Sequence, residues 1–513
     1  MLFALSSALV LVAAVVVYRV RFHPLRAIPG PWYAAASPLF LWTICYLGIE
    51  GRVMRRLHEK HATAVLRVGP NSVSVSDSSA MHEIYVAGGG FLKDDRYRNF
   101  NLGPVETIFS TLDGAYRDRR AKAVAPLFSP AQIRAESGPR GSVGRHVDSF
   151  VAQLAELRRA RVRTDLLDLC AKLSIDVVSD YLLGLPYGGL TEHAHLSLPD
   201  RQTREGKLSA NEFVHAIVGF ARFSLLPNSL FKLTYAVSQR LSHSVKVDES
   251  LARIGSFINS VMARVTADAG IDKKNADNND NKNDNKTAGS RTHLYPDRLL
   301  AVGVSLPETA AQSKAILFAG ADSTAVALAT TLFHLARNTS ARTRLLHEIR
   351  AATAAGGSNK QPDLVFLRAC VKEGLRLCMA NPVRLTRVVP RAADLHVDGL
   401  RIPPGTTVGC AAYVMHHDPD VFPHPFAFKP ERWLDDGSSA GLRRPAMEKS
   451  LMPFGHGLRA CLGKNLAMHQ LHQAVAAVID AEILDGARTV QDEIEVVEWF
   501  NGDIKGHSVD IEW

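Results

Sequence analysis

The sequence is poor in the features that mark small secreted or zinc-stapled domains. Only six cysteines occur in 513 residues (Cys45, Cys170, Cys370, Cys378, Cys410 and Cys461), and none has a paired spacing. That scatter excludes a disulfide framework and points to reduced, cytosol-facing thiols. Neither a C-x-x-C nor an H-E-x-x-H pattern is present, which removes the common zinc signatures. The pairs His193/His195 and His416/His417 read as surface or core histidines. Aromatic residues make up 7% of the chain and do not interleave with a basic stripe, so nucleic acid is not an expected partner.

Charge is missing from the first eighteen residues, "MLFALSSALVLVAAVVVY". A helix of that length reaches roughly 27 Å, close to a bilayer core. The basic residues follow the apolar run (Arg19, Arg21, Arg26) rather than precede it, so it lacks the basic start of a cleaved signal peptide. Residues 1–18 are therefore expected to be a retained single-pass transmembrane anchor, with the rest of the chain in the cytosol. Residues 19–50 form a Pro-rich hinge and membrane-proximal segment. Within it, Pro24, Pro29 and Pro31 predict a stiff extended spacer. Ser37 to Ile49 is apolar but too short to span, and is expected to pack on the domain or touch the membrane surface.

Residues 51–513 carry ample material for one large core: 46% of the whole chain is hydrophobic and 22% charged. The formal charge of +9 suits an acidic partner or an anionic surface. Helical patterns dominate, as in Val143 to Leu183 and Asn211 to Val265. Strand-like pieces occur near "AVLRVGPNSVSVSD" and in "DLHVDGLRIPPGTTV", where Asp398-Gly399 predicts a hairpin. The class is mostly α with small β-sheets. Residues 272–290, "DKKNADNNDNKNDNKTAGS", have almost no apolar content and are expected to be a disordered surface loop.

Pro307 to Asn338 reads as one long helix, apolar nearly all round, so it should cross the core. Its middle, Ala319-Gly320-Ala321-Asp322-Ser323-Thr324, puts an acid and two alcohols where burial is deepest. Ser323 shares a face with Ala319 and is placed to bond that turn's carbonyl. Small residues there would let a flat ligand or dioxygen approach the backbone.

Near the C-terminus stands "FGHGLRACLG", Phe454 to Gly463. Its lone cysteine could be a metal ligand, a nucleophile or a buried thiol. A thiolate at a helix start is stabilised by the dipole and free N–H groups. Gly457 permits a tight turn, and Gly463 permits close approach of a flat ligand. Such a seat suits an axial thiolate to haem iron, with Arg459 on a propionate. His456 has no evident role. Upstream, Glu373 and Arg376 share a helix face, and Arg432 in "FKPERW" could complete a network with them.

These motifs, in this order, resemble the membrane-bound cytochrome P-450 family of haem-thiolate monooxygenases over nearly the whole chain. F-x-x-G-x-R-x-C-x-G is matched by Phe454, Gly457, Arg459, Cys461 and Gly463; E-x-x-R by Glu373 and Arg376; P-E-R by Pro430, Glu431 and Arg432. The resemblance implies haem b on Cys461, and oxygen insertion into a small apolar substrate, in the style of fungal enzymes of secondary metabolism. Electrons would come from NADPH through a membrane NADPH–cytochrome reductase, with cytochrome b5 as a further donor, at the endoplasmic reticulum. It also implies proton delivery by Asp322 with Ser323 and Thr324; the usual threonine beside the acid is here Ser323. The family's W-x-x-x-R becomes Tyr116 and Arg120, expected with Arg387 at the propionates. Substrate contacts are expected from Phe91 to Phe109, Asn211 to Leu230, Ala319, Asn381 to Leu385, and Trp499-Phe500. The rival reading is a haem-thiolate isomerase or dehydratase that needs no external electrons.

Overall fold

The computed structural model describes residues 2–138, 141–241, 244–277, 294–354, 364–434 and 439–513. The uncharged N-terminus is a helix, Leu2–Val17, continuing through a π-turn, Tyr18–Phe22. Its apolar side chains project outward, and Leu5–Phe22 is long and apolar enough to cross a membrane.

The proline-rich segment departs from the extended spacer expected of it. Pro24–Ala27 is a single 3-10 turn, with His23 Nδ1 accepting the Leu25 N–H at 3.1 Å. Leu25 and Ile28 are buried in the body, so the segment is docked. Burial of two large aliphatic side chains, each worth about 1.5–3 kcal/mol, outweighs the freedom of a solvated linker. The next apolar stretch forms the helix Leu39–Tyr46, which buries Leu41, Ile44 and Cys45 and exposes Leu39 and Tyr46.

The long predicted helices are interrupted. The first becomes Ser142–Arg159 and Leu166–Leu183, because Thr164–Asp165 between them pairs antiparallel with Asp510–Glu512. Asp165 then caps the second helix, accepting from the N–H groups of Leu167 and Asp168. The other divides into Asn211–Phe220, Asn228–Leu241 and Val245–Asp277. The last of these reaches into the segment 272–290 expected to be a loop. Residues 278–290 of that segment lie outside the described residues.

A five-stranded sheet takes the order Val65–Gly69, Ser72–Val75, Thr407–Gly409, Arg387–Val388, Leu92–Lys93. Its second and third strands are parallel and the other pairs antiparallel. The predicted hairpin is present as Leu395–Val397 against Leu400–Ile402, with Asp398 and Gly399 both at positive φ.

The expected core helix is Leu306–Arg337, with Ser305 as its cap and Pro307 in its first turn. It packs chiefly along Leu166–Leu183. A Cβ on Gly320 would lie 2.6 Å from Val178 Cγ2; the small residue is needed for this helix crossing. The helix is 67% buried over its apolar window, as a core helix of a folded body should be.

Candidate active site

The cysteine seat is built by backbone. Gly457 has φ +69°, and a Cβ there would stand 1.7 Å from the Tyr85 carbonyl oxygen; no other residue fits without moving the chain. The Cys461 N–H donates to the Phe454 carbonyl at 2.8 Å. Gly463 caps the helix Lys464–Asp480. Burial pushes the Cys461 thiol up, against the lowering influence of the Gly463 and Lys464 backbone N–H groups and the Lys464 charge. Protein groups alone therefore hold a thiol, and a bound metal cation is what would make the thiolate. Cys461 is also the one exposed cysteine of the six. Dense surroundings together with an accessible side chain place it on the wall of an internal cleft. A Cβ at Gly463 would meet only Cys461 Sγ, at 4.0 Å, so packing within the protein does not demand glycine there.

A second wall is cationic. Lys93 and Arg387 are buried, and Arg459 donates to the Thr111 and Leu112 carbonyls at 3.3 and 3.5 Å. Lys93 is held well below the usual lysine range by burial, then by Arg387, Arg459 and Arg117. Arg459 is lowered by burial, then by Arg117 and Arg387. Of the four, Arg117 ion-pairs with Asp118 at 2.9 Å. Among the described residues no ion pair is formed by Lys93, Arg387 or Arg459. A thiol facing a cleft beside buried cations fits a metal-centred group that carries two carboxylates, as haem b does.

The third element is the middle of the core helix. Burial, reinforced by the nearby Asp503 charge, pushes Asp322 up to about 7; Asn501 counters it, donating from Nδ2 at 3.5 Å. Ser323 Oγ donates to the Ala319 carbonyl at 3.1 Å, as its spacing predicted. Thr324 is buried. Close by, Tyr97, Phe100, Phe109 and Phe500 form a mutual ring cluster with centroids 4.6–6.5 Å apart. Val383, Leu385 and Trp499 pack around it. With Ala221 in the same cluster, four of the expected substrate-contact regions thus converge.

The profile of the family described as Cytochrome P450 matches residues 38–481. The chain belongs to the cytochrome P450 family. It is 57% identical to cytochrome P450 monooxygenase mfmF of Annulohypoxylon moriforme, over 99% of this chain and 98% of that one. It is 29% identical to cytochrome P450 monooxygenase macH of Penicillium terrestre, over 95% and 93%. Against cytochrome P450 monooxygenase aflU of Aspergillus parasiticus the identity is 28%, over 90% and 87%. The protein is a haem monooxygenase, with haem b as the family's cofactor and NADPH as its indirect electron source.

In this P450, Glu373 anchors the expected network. It receives Arg376 Nη2 at 2.8 Å, Arg432 Nε at 3.0 Å, Trp433 Nε1 at 2.9 Å and the Lys429 N–H at 3.0 Å. Burial would raise its carboxyl, but Arg376 and then Arg432 bring it below the usual range. Arg376 also donates to the carbonyls of His416, Pro425 and Ala427, tying the network to the loop that leads toward the cysteine seat.

Tyr116 and Arg120 are not brought to the cation wall. Tyr116 O–H contacts Glu308 and donates to the Glu106 carbonyl at 2.6 Å, while Arg120 pairs with Glu308 at 2.5 Å. Their polar groups are thereby answered. The residue of that helix beside Arg459 is Arg117. Sequence reasoning missed Arg117 and Lys93; the first is one residue off the position chosen, and the second lacks any local signal.

Proposed function

We propose that Cys461 is the axial iron ligand of this monooxygenase, and that a small apolar substrate lies against the Tyr97–Phe100–Phe109–Phe500 cluster. The observation that carries the assignment is an accessible thiol at a helix start, two residues from a half-buried arginine that lies beside the buried cations Lys93 and Arg387. Haem b supplies the oxygen-activating chemistry when bound. Lys93, Arg117, Arg387 and Arg459 would neutralise its propionates. Asp322, near half-protonated at neutral pH, stores a proton above the cleft. The Ser323 hydroxyl, once it leaves the Ala319 carbonyl, can pass that proton on, with Thr324 next to it. The aromatic rings orient an apolar substrate and exclude water.

The exposed apolar helix Leu5–Phe22 supports a membrane anchor, and the cations after it support a cytosolic body at the endoplasmic reticulum. The +9 charge supports docking to an acidic NADPH–cytochrome reductase, with cytochrome b5 as a further donor. Fungal relatives such as mfmF support a substrate from secondary metabolism. The test is a substrate screen read from the haem spectrum, followed by turnover with and without NADPH and reductase. Turnover that requires both is expected; turnover without them would replace this reading by the isomerase or dehydratase one.

A further inference from the structure

Away from the cysteine seat, three side chains have the composition of a metal site. His215 on the helix Asn211–Phe220, and Asp503 and His507 near the C-terminus, bring ring nitrogens and a carboxylate oxygen all within 4.8 Å of one another. The two imidazole centroids are 4.1 Å apart with a 47° tilt, and His507 Nδ1 is 3.2 Å from Asp503 Oδ1. His507 sits at φ +53°, a left-handed conformation that non-glycine residues seldom adopt. That turn brings its ring back toward Asp503, four residues earlier. We propose that His215, Asp503 and His507 bind a divalent transition cation of the zinc type.

The chemistry of the donors selects the ion. Two imidazole nitrogens and one carboxylate suit zinc, with water as a fourth ligand. Calcium and magnesium prefer all-oxygen shells. Zinc with ligands at about 2.1 Å separates them by roughly 3.4 Å; the Asp503–His507 pair already meets this, and side-chain rotation brings His215 in. Asp503, itself buried, supplies the charge. Of the other charged neighbours of the two imidazoles, Glu212 favours a cation, and Lys207 is paired with Asp165 at 2.6 Å.

The site joins two walls of the substrate region. Ala221, just after the His215 helix, packs with Phe500, and Asn501, two residues before Asp503, faces Asp322. A bound cation would fasten the helix to this segment.

Equilibrium dialysis of the full-length, haem-loaded protein in detergent against zinc alone tests the site. One zinc per chain is expected at micromolar free metal, unmoved by excess magnesium. His215→Ala and His507→Ala should each weaken it about tenfold or more with an unchanged reduced carbon-monoxide spectrum. His507 lies on an exposed turn, so His507→Ala keeps the test decisive if His215→Ala fails to fold. Zinc retained equally by the variants, or none retained by the parent protein, overturns the site.

Discussion

Lys93 and Arg387 are register partners across two antiparallel strands, two buried cations side by side. Like charges placed opposite one another destabilise a sheet, and a buried charge left without a counterion is costly. The arrangement makes sense as a dianion seat. Lys93→Met should therefore raise the melting temperature of the haem-free protein while speeding haem loss. Loss of one such contact is expected to weaken haem about tenfold, or ~1.4 kcal/mol. Transfer of haem to a scavenging apoglobin measures the second effect and calorimetry the first; slower transfer from the variant would remove Lys93 from the seat.

Cys461→Ala tests the ligand assignment without relying on turnover. The reduced carbon-monoxide complex should lose its thiolate-type absorption. Persistence of that absorption would pass the role to another group, although each of the other five cysteines is fully buried.

Glu373 answers two arginines that are themselves almost wholly buried. Glu373→Gln keeps the shape and removes the charge, leaving Arg376 and Arg432 without a counterion. A loss of about 3–5 kcal/mol is expected, read as a shifted denaturant midpoint and poor recovery of haem-loaded protein. A near-neutral effect would make the network dispensable.

Contiguity in the chain decided what could be read beforehand. The cysteine seat, the Glu373–Arg376 pair and the long core helix each lie within one segment, so residue type and spacing carry their signal. Lys93 meets Arg387 only through strand pairing, and His215 meets His507 only through tertiary packing, so no window of sequence contains either pair. Tyr116 and Arg120 turn to Glu308 for a related reason. One residue along a helix is a turn of about 100°, and Arg117 rather than its neighbours faces Arg459. The docked proline segment shows local propensity yielding to the burial of Leu25 and Ile28.

Asp322 gives a pH signature with a definite sign. Its folded value of about 7 lies above the ordinary aspartate value near 3.9. Between these values the folded state binds more protons than the unfolded one, so stability falls as pH rises from about 4 to about 7. Asp322→Asn removes that penalty. Its melting temperature should exceed the parent's at pH 8 and approach it at pH 4, while product formed per NADPH consumed falls. An equal gap at both pH values would show that Asp322 titrates normally.

Deleting residues 1–18 should change the mode of membrane binding rather than abolish it. Trp32, Leu39, Leu233 and Leu241 are 68%, 62%, 60% and 81% exposed. A chain of rings links the two helices that carry most of them: Tyr46 lies 5.5 Å from Phe223, which lies 5.5 Å from Phe220, itself 4.7 Å from Tyr235. Together they form an apolar face next to the anchor, of the kind that dips into a bilayer interface. The truncated protein should sediment with membranes at neutral pH and be released by alkaline carbonate, whereas the full chain resists extraction. Adding Leu233→Glu and Leu241→Glu to the truncation should then free it at neutral pH. A truncated chain that is soluble from the outset would leave the N-terminal helix as the sole attachment.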